Sequence, residues 1–574
     1  MPGSPRSSRR GKAKRVHKRS VNNPFSSLLA ELKESSPLRH LGFRHFYFGT
    51  IGSALGYTMQ ATVAAWLMAT ITPSPLMVAL VQTASTAPTL LFGLIGGALA
   101  DIVDRRKIIL VAQSVLLVAT ATLGTITLTG WINPPSLLLL TFMVGVGFTF
   151  YQPAQQANVN ELVPPRDLHR AVALGAVAFN VARAAGPALA GAIAAWAGSG
   201  SAFLVSAVCF TIMIHAARQL KPRARNLPGV PERLLSGVLS GMRFVRHSPG
   251  MRALVFRNFS FAVCASAFWA LLPVLARDQL HLGAGGFGLL SAGFGLGAVT
   301  GAISIPSQLR RRPLHTVVLS AILLWILAIL LIAATDSTVL AVLGTYAAGM
   351  AWVCVFASLT AGTQSTAPAW VRARAVGTSI VAVQASLAVG SILWGTLASA
   401  TGTHVALAIS ALALVIMQGL SYRIRVVLGS EADVTPGFQL PELAMALQPM
   451  ADDGPVLVQV EYRIPRAQRE EFLHAIRAVE PTRRRNGAMS WRVFADIAEE
   501  GRFVERFIIS SWAEYVRLRS RATVADRAAH TAIEKFQEAG TPIRVSRLIG
   551  VDLSNARFAS AVPTIVDRDG GDAG

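Results

Sequence analysis

Gly96-Gly97-Ala98-Leu99-Ala100-Asp101-Ile102-Val103-Asp104-Arg105-Arg106-Lys107 joins two apolar segments, each long enough to span a bilayer. The junction holds two aspartates and three consecutive cations. An ionised side chain at the centre of a bilayer costs roughly 2.5–3.5 kcal/mol even on a lenient insertion scale, so this turn belongs at a membrane surface. Its basic excess assigns it to the cytoplasmic side.

The rest of the chain agrees with a membrane reading. Of 574 residues, 52% are hydrophobic and 14% charged, against about 25% charged in an average soluble domain. A net charge of +23 would point to nucleic acid in a soluble protein. Here the cations sit in short segments between apolar runs and no nucleic-acid motif accompanies them, so topology explains them and nucleic acid is not an expected partner. Cys209, Cys264 and Cys354 lie inside apolar runs without paired spacing, as small core residues do. No metal or cofactor is expected.

Residues 1–43 form a basic cytoplasmic tail, suited to disorder or to contact with anionic headgroups. A cleavable signal is not expected, because the first apolar segment starts late, runs long and lacks a cleavage site after a short core. At about 20 residues per crossing, twelve spans are predicted near 46–71, 76–99, 107–129, 136–157, 168–197, 201–219, 254–276, 286–306, 314–334, 337–360, 374–398 and 403–422. The connections assigned to the outside around 72–74, 130–135, 198–200, 336–337 and 401–403 contain no Lys or Arg, and only Arg277, in the seventh-to-eighth connection, breaks the pattern. Both ends are therefore placed in the cytoplasm. In the central loop, Pro231 to Arg246 spaces its apolar residues by three and four, which suits a short amphipathic helix on the membrane surface or a plain linker.

A constant shift of 204 residues aligns the two halves: Gly93 and Gly97 on Gly297 and Gly301, Pro164 on Pro368, Arg170 on Arg374, Gly186 and Gly191 on Gly390 and Gly395. The chain reads as two parallel six-span repeats. The expected domains are a six-helix bundle over 44–219, a basic linker 220–252, a second bundle 253–425, a linker 426–454, an α+β unit 455–552 and a disordered tail 553–574.

GGALADIVDRRK resembles the loop between the second and third helices of the major facilitator superfamily, and Arg183 to Gly191 (RAAGPALAG) resembles the Gly-Pro motif in the fifth helix of its exporters. Tyr151 to Ala157 (YQPAQQA), followed by Glu161-Leu162-Val163-Pro164, is similar to the branch of enterobactin exporters and transmembrane secretion effectors. The resemblance covers about 44–422 and implies alternating access between two all-α bundles. It also implies a gate in which Gly97, Asp101, Asp104, Arg105, Arg106 and Lys107 take part, with Asp101 near the start of the eleventh helix by Arg374. The second copy has Ile305 and Gln308 where the acids stand, so the latch would be asymmetric. Arg183, Gly186, Pro187 and Gly191 form the implied exporter motif, although Ala190 replaces a usual glycine and Ser391 replaces the proline in the second copy.

Arg183 lies about fifteen residues into its span. A charge there is a functional candidate, facing a cavity or pairing with carbonyls and snorkelling. Its counterpart is Leu387. Other cavity candidates are Gln60, Gln152, Gln156, Asn180, Trp269, Tyr346 and Gln384, each equally suited to an interhelical hydrogen bond. Asn180 and Gln384 are repeat-equivalent. Gly293, Gly297 and Gly301 read as a packing ladder. Proton coupling is implied by the resemblance alone, since no acid lies deep within a span.

Beyond Arg425, alternation at Val456–Tyr462, a helical pattern over 466–480, strands at Met489–Phe494 and Phe503–Ser510, helices over 512–538 and a strand at Ile543–Ile549 suggest a ferredoxin-like fold. Gly487 to Trp491 and Ser511 to Tyr515 resemble the dimeric α/β barrels related to antibiotic-biosynthesis monooxygenases. Trp491 and Trp512 read as core, His474 and His530 as isolated, and the tail as non-catalytic, serving self-association or regulation. The expected function is export of an amphiphilic small molecule (siderophore, drug or secondary metabolite) across a bacterial cytoplasmic membrane. The alternatives are a tail that modifies or senses the substrate, and an importer of the same fold.

Overall fold

The computed structural model describes residues 37–220, 234–422, 434–435 and 449–551. The basic stretch 1–36, the beginning of the central loop, most of the 426–454 linker and the tail 553–574 lie outside the described residues.

The first bundle comprises α1 (Leu41–Ile71), α2 (Pro75–Ile102), α3 (Arg105–Leu128), α4 (Pro134–Leu162), α5 (168–197) and α6 (199–218). The chain turns from α5 into α6 at a single residue, Gly198, whose φ of 83° is open to glycine at no steric penalty. Starts are set locally: Ser74 accepts from the Met77 amide ahead of Pro75, Asp104 caps α3, and Asn133 with Ser136 form a capping box. The linker helix α7 (Leu234–His247) precedes the second bundle: α8 (Pro249–Asp278), α9 (Ala284–Arg311), α10 (Leu314–Ala334), α11 (Thr338–Thr366), α12 (Ala369–Thr401) and α13 (Thr403–Tyr422). Among the described residues ten helical runs can cross a membrane by length and composition, the run over 165–218 containing two crossings joined at Gly198, while α1 packs along α6 as part of the first bundle.

The connections after α2, α4, α6, α9 and α11 lie on one face, termed the basic face, and those after α1, α3, α5, α8, α10 and α12 on the other, the neutral face. The α9 ladder packs against α11: a Cβ on Gly293 would meet Thr345, and one on Gly301 would lie 2.8 Å from the Met350 carbonyl. The second bundle is filled by an aromatic core of Phe261, Phe268, Phe294, Trp325, Trp352 and Phe356. The central loop does form a helix, and the described part of its apolar side is buried on protein: Phe244 and Val245 pack with Met251, Ala367, Val371 and Ala375.

The C-terminal unit orders its strands β1 (Val456–Arg463), β2 (Ser490–Ala495), β3 (Arg502–Ile509) and β4 (Arg544–Ile549) as β2-β3-β1-β4, all antiparallel. Helices α14 (Arg469–Arg477), α15 (Glu480–Asn486), α16 (Trp512–Arg521) and α17 (Val524–Glu534) complete the βαββαβ order of a ferredoxin-like fold. Val456, Val458, Val460, Phe503, Phe507 and Ile509 turn inward onto Phe472 and Ile476, as period-2 alternation requires.

Candidate transport cavity and its gates

The bundles meet near the neutral face. A Cβ on Gly191 of α5 would lie 2.7 Å from Gly288 Cα and 2.8 Å from the Ala284 carbonyl of α9, so the backbones touch only because both residues are glycine. Trp66 stacks on Phe287 with centroids 5.6 Å apart. Between α2 and α12, the Leu76 amide donates to Ser399 Oγ at 3.2 Å and Thr83 Oγ1 donates to the Ala388 carbonyl at 3.0 Å. Toward the basic face the same helices part: a Cβ on Gly97, Gly175 or Gly377 would meet nothing within 4 Å. The described contacts between the bundles thus concentrate at the neutral face, while Gly97 and Gly175 border a cavity toward the basic one.

Arg277, the cation that breaks the loop charge pattern, adds to those contacts. From the end of α8 its guanidinium donates to the Ala69 and Thr72 carbonyls at the end of α1, the latter at 2.9 Å, and pairs with Asp278. It thus caps a helix C-terminus, the negative end of the helix dipole, in the opposite half. Charge counting marked Arg277 as an exception, but only the packing of α8 beside α1 gives it partners in the other bundle.

The basic face opens into a cavity of about 700 Å³ lined mainly by α1, α4 and α5, including Thr50, Tyr151, Gln152, Gln156 and Phe179. Gln155 reaches across it to Thr50 Oγ1 at 3.5 Å. The Arg183 guanidinium lies 5.3 Å from the Phe179 ring centroid, one helical turn beyond the lining and close enough for a cation–π contact. Tyr57 and Phe148, stacked at 3.9 Å, stiffen the wall; their spacing in sequence gave no sign of it.

The other candidates separate. Gln152 and Gln156 line the cavity. Gln60 is buried, and its amide nitrogen has no hydrogen-bond partner among the described residues. Asn180 donates back to the Ala176 carbonyl at 2.9 Å. Trp269 packs edge-on against Phe294 at 4.6 Å, and Tyr346 donates to Thr300 at 2.9 Å, joining α11 to α9. Gln384 is half-buried on α12. Gly186 and Pro187 are buried in α5, Gly186 against Thr58.

The opening loop spends its charges within the first bundle. Asp104 accepts from the Arg106 amide at 2.9 Å. Arg105 donates to the Ala157 carbonyl at 2.8 Å and pairs with Glu161 at 2.6 Å. Arg106 donates to the Arg218 carbonyl at 2.9 Å, and Lys107 is exposed. Two cations therefore cap the ends of α4 and α6. The Asp101 side chain lies outside the described residues, and Arg374 donates to Ser240 of α7 at 3.0 Å. A further ionic contact ties the chain before α1 to the α4–α5 turn. Asp167 accepts from Arg39 at 2.8 Å and contacts His40 at 3.1 Å; His40 first, then Arg39, hold its carboxyl below the usual range.

In the C-terminal unit His530 is not isolated. It sits among Arg483, Glu505 and Asp526, and burial followed by the Arg483 charge pushes its pKa down to about 4. Glu505 is fully buried, paired with Arg483 at 2.9 Å, and also accepts from Tyr462 at 3.0 Å and Trp491 at 2.9 Å. Its acceptors are occupied by protein donors, which makes the cluster a satisfied polar core. Trp491 is thereby both packing and hydrogen-bonding.

Over residues 33–555 the chain matches the family described as transmembrane secretion effector. A multidrug efflux pump of Mycolicibacterium fortuitum is 26% identical over 214 residues, 36% of this chain and 52% of the relative. A staphyloferrin A transporter of Staphylococcus aureus is 22% identical over 268 residues, 46% and 67% of the respective chains. An enterobactin exporter of Shigella flexneri is 29% identical over 217 residues, 37% and 49%. The chain thus spans about half the length of the first of these relatives. In fold it is similar to a nucleoside transporter (TM-score 0.54, 14% identity, 67% of this chain and 98% of the other) and to a bacterial homologue of the lysosomal transporter Spinster (0.55, 15%, 68% and 98%). The paired six-helix bundles, the cavity walled by the first of them and the family match lead to one conclusion: the chain belongs to the transmembrane secretion effector family of major facilitator transporters.

Proposed function

We propose that this protein is a secondary exporter of a bacterial cytoplasmic membrane, with both ends in the cytoplasm and the basic face inward. It moves an amphiphilic small molecule outward by alternating access. The observation that carries this reading is a cavity on the basic-face half of the first bundle, with aromatic and amide groups on its wall and Arg183 beyond Phe179. Apolar walls with a few convergent polar groups suit an amphiphile, and the Arg183 guanidinium, which pairs with no carboxylate among the described residues, favours one bearing an acidic group. A siderophore, a drug or a secondary metabolite meets that description, and a proton is the counter-ion. In the outward-open state Asp101 would meet the start of α12 near Arg374.

The test compares metabolites in the medium of wild-type and deletion cells, then follows uptake of the depleted compound into inverted vesicles. An imposed proton gradient should drive that uptake. Loss of the compound from inverted vesicles would identify an importer, and gradient-independent uptake would remove the proton.

The C-terminal unit supports self-association. The sheet face away from its helices carries Leu457, Val504 and Ile508, with Phe494 45% and Leu548 51% exposed. Apolar residues on a sheet face that none of the described helices covers, interspersed with Glu461, Arg492 and Arg506, suit a second copy. Light scattering of full-length protein against a Phe494→Lys, Leu548→Lys variant tests it: equal mass for both would remove this role.

A further inference from the structure

The C-terminal unit docks on the second bundle through two basic elements. Helix α15 packs on α7, and Arg521 lies 4.3 Å over the Trp370 ring at the start of α12, its charge paired with Glu514 at 2.7 Å. Each arginine of α15 already has a carboxylate: Arg483 pairs with Glu505, Arg484 with Glu480, Arg485 with Asp526. Opposite them, at the elbow from α7 into α8, stand Arg246, His247 and Arg252. The guanidiniums of Arg246 and Arg252 have no ion pair or hydrogen bond among the described residues, and His247 Nδ1 contacts only its own helix, at the Arg243 carbonyl, 3.0 Å. Between the two elements lies a cavity of about 260 Å³ lined by Arg246, His247, Arg252, Glu480 and Arg484. Its single carboxylate is neutralised by Arg484, so two cationic charges face a docked partner with no counter-charge from either side. Both guanidiniums are solvent-exposed, so water satisfies them in the empty cavity, and an anion entering it would gain from both charges at once.

We propose that this junction is a binding site for a phosphate group, held by Arg246 and Arg252 and bridging the second bundle to the C-terminal unit. Guanidinium groups match phosphate oxygens in fork geometry, and the elbow lies at the basic membrane surface, where lipid phosphates are abundant. The phosphate comes from an anionic lipid headgroup or from free phosphate.

The experiment measures hydrogen exchange of full-length protein in nanodiscs of phosphatidylcholine, alone or mixed with phosphatidylglycerol, and in phosphatidylcholine with added inorganic phosphate. Phosphatidylglycerol should slow exchange across 240–247 and 480–487 by about thirty-fold, the effect of two cations near an anionic surface. Slowing by inorganic phosphate alone would identify free phosphate as the source. Arg246→Gln, Arg252→Gln should abolish the response while β1 and β3 exchange as before, and Arg246→Lys, Arg252→Lys should retain most of it. No slowing by either anion, or an unchanged response in the glutamine variant, would overturn the site.

Discussion

The two bundles descend from one pattern yet have divided the work. In the first, the helix face at Gly97 opens onto the cavity; in the second, its equivalent Gly301 is packed on the Met350 backbone. Arg183 stands at the deep end of the open side, and its equivalent Leu387 is buried. Aromatic rings stiffen the cavity wall in the first copy but fill the core in the second. The second copy also carries α7 and the C-terminal unit. On the proposed reading, cargo meets the first bundle and the second serves as its counterpart.

The largest expected effect comes from disrupting the glycine contact between them. Gly191→Leu places side-chain atoms where the Gly288 backbone stands, and overpacking of this kind costs about 1–3 kcal/mol or more. Spin-label distances across the neutral face should widen and transport should fall to background. Unchanged distances would show that the α5–α9 contact does not close that face.

Arg183→Leu installs the second copy's residue in the first. Export of an anionic compound should fall at least about ten-fold, the loss of one charged hydrogen bond, with normal protein in the membrane. Leu387→Arg should not restore it. If the double variant exports as wild type does, the copies are interchangeable at this depth and the division of work fails.

Arg277→Gln weakens the bond from the second copy to the end of α1. Hydrogen bonds to charged groups contribute about 1.5–3 kcal/mol, so the outward-open population should rise roughly ten-fold or more, measured with cysteine pairs across each face. An unchanged population would reduce Arg277 to a helix cap.

The smallest effect is confined to the unit docked on the second copy. His530 is neutral in the fold to about pH 4, against an ordinary value of 6.5, so the unfolded chain binds more protons between those values and stability falls as pH drops through that window. The melting transition of the C-terminal unit should decrease from pH 6.5 to 4.5, and His530→Gln should flatten that slope. An equal slope in both proteins would place the acid sensitivity elsewhere, with Glu505 as the next group: its carboxyl, held low by Arg483 and Trp491 against the opposing effect of burial, loses its contribution at still lower pH.

Much of this architecture was legible in one dimension. Spans, loops and the repeat follow from where apolar runs stop and where cations gather, because partition into a bilayer is decided residue by residue along a segment. The strand order of the C-terminal unit was suggested by alternation in the same way. The site was legible only in part. Gln152 and Gln156 came from the same polar census as Gln60, yet two line the cavity and one is buried without a partner for its amide nitrogen. Helix rotation separates them, and rotation depends on what packs behind each helix.

The loop from Gly96 to Lys107 shows the division most clearly. Its sequence alone determined that it lies at a membrane surface and that the chain is oriented from it, since charge cannot enter hydrocarbon cheaply. Only the tertiary structure decided that Arg105 and Arg106 cap α4 and α6 of their own bundle, while Arg277 at the opposite face joins the bundles. A cation's membrane side is a property of its own solvation, but its partner is whichever carbonyl another helix brings within reach.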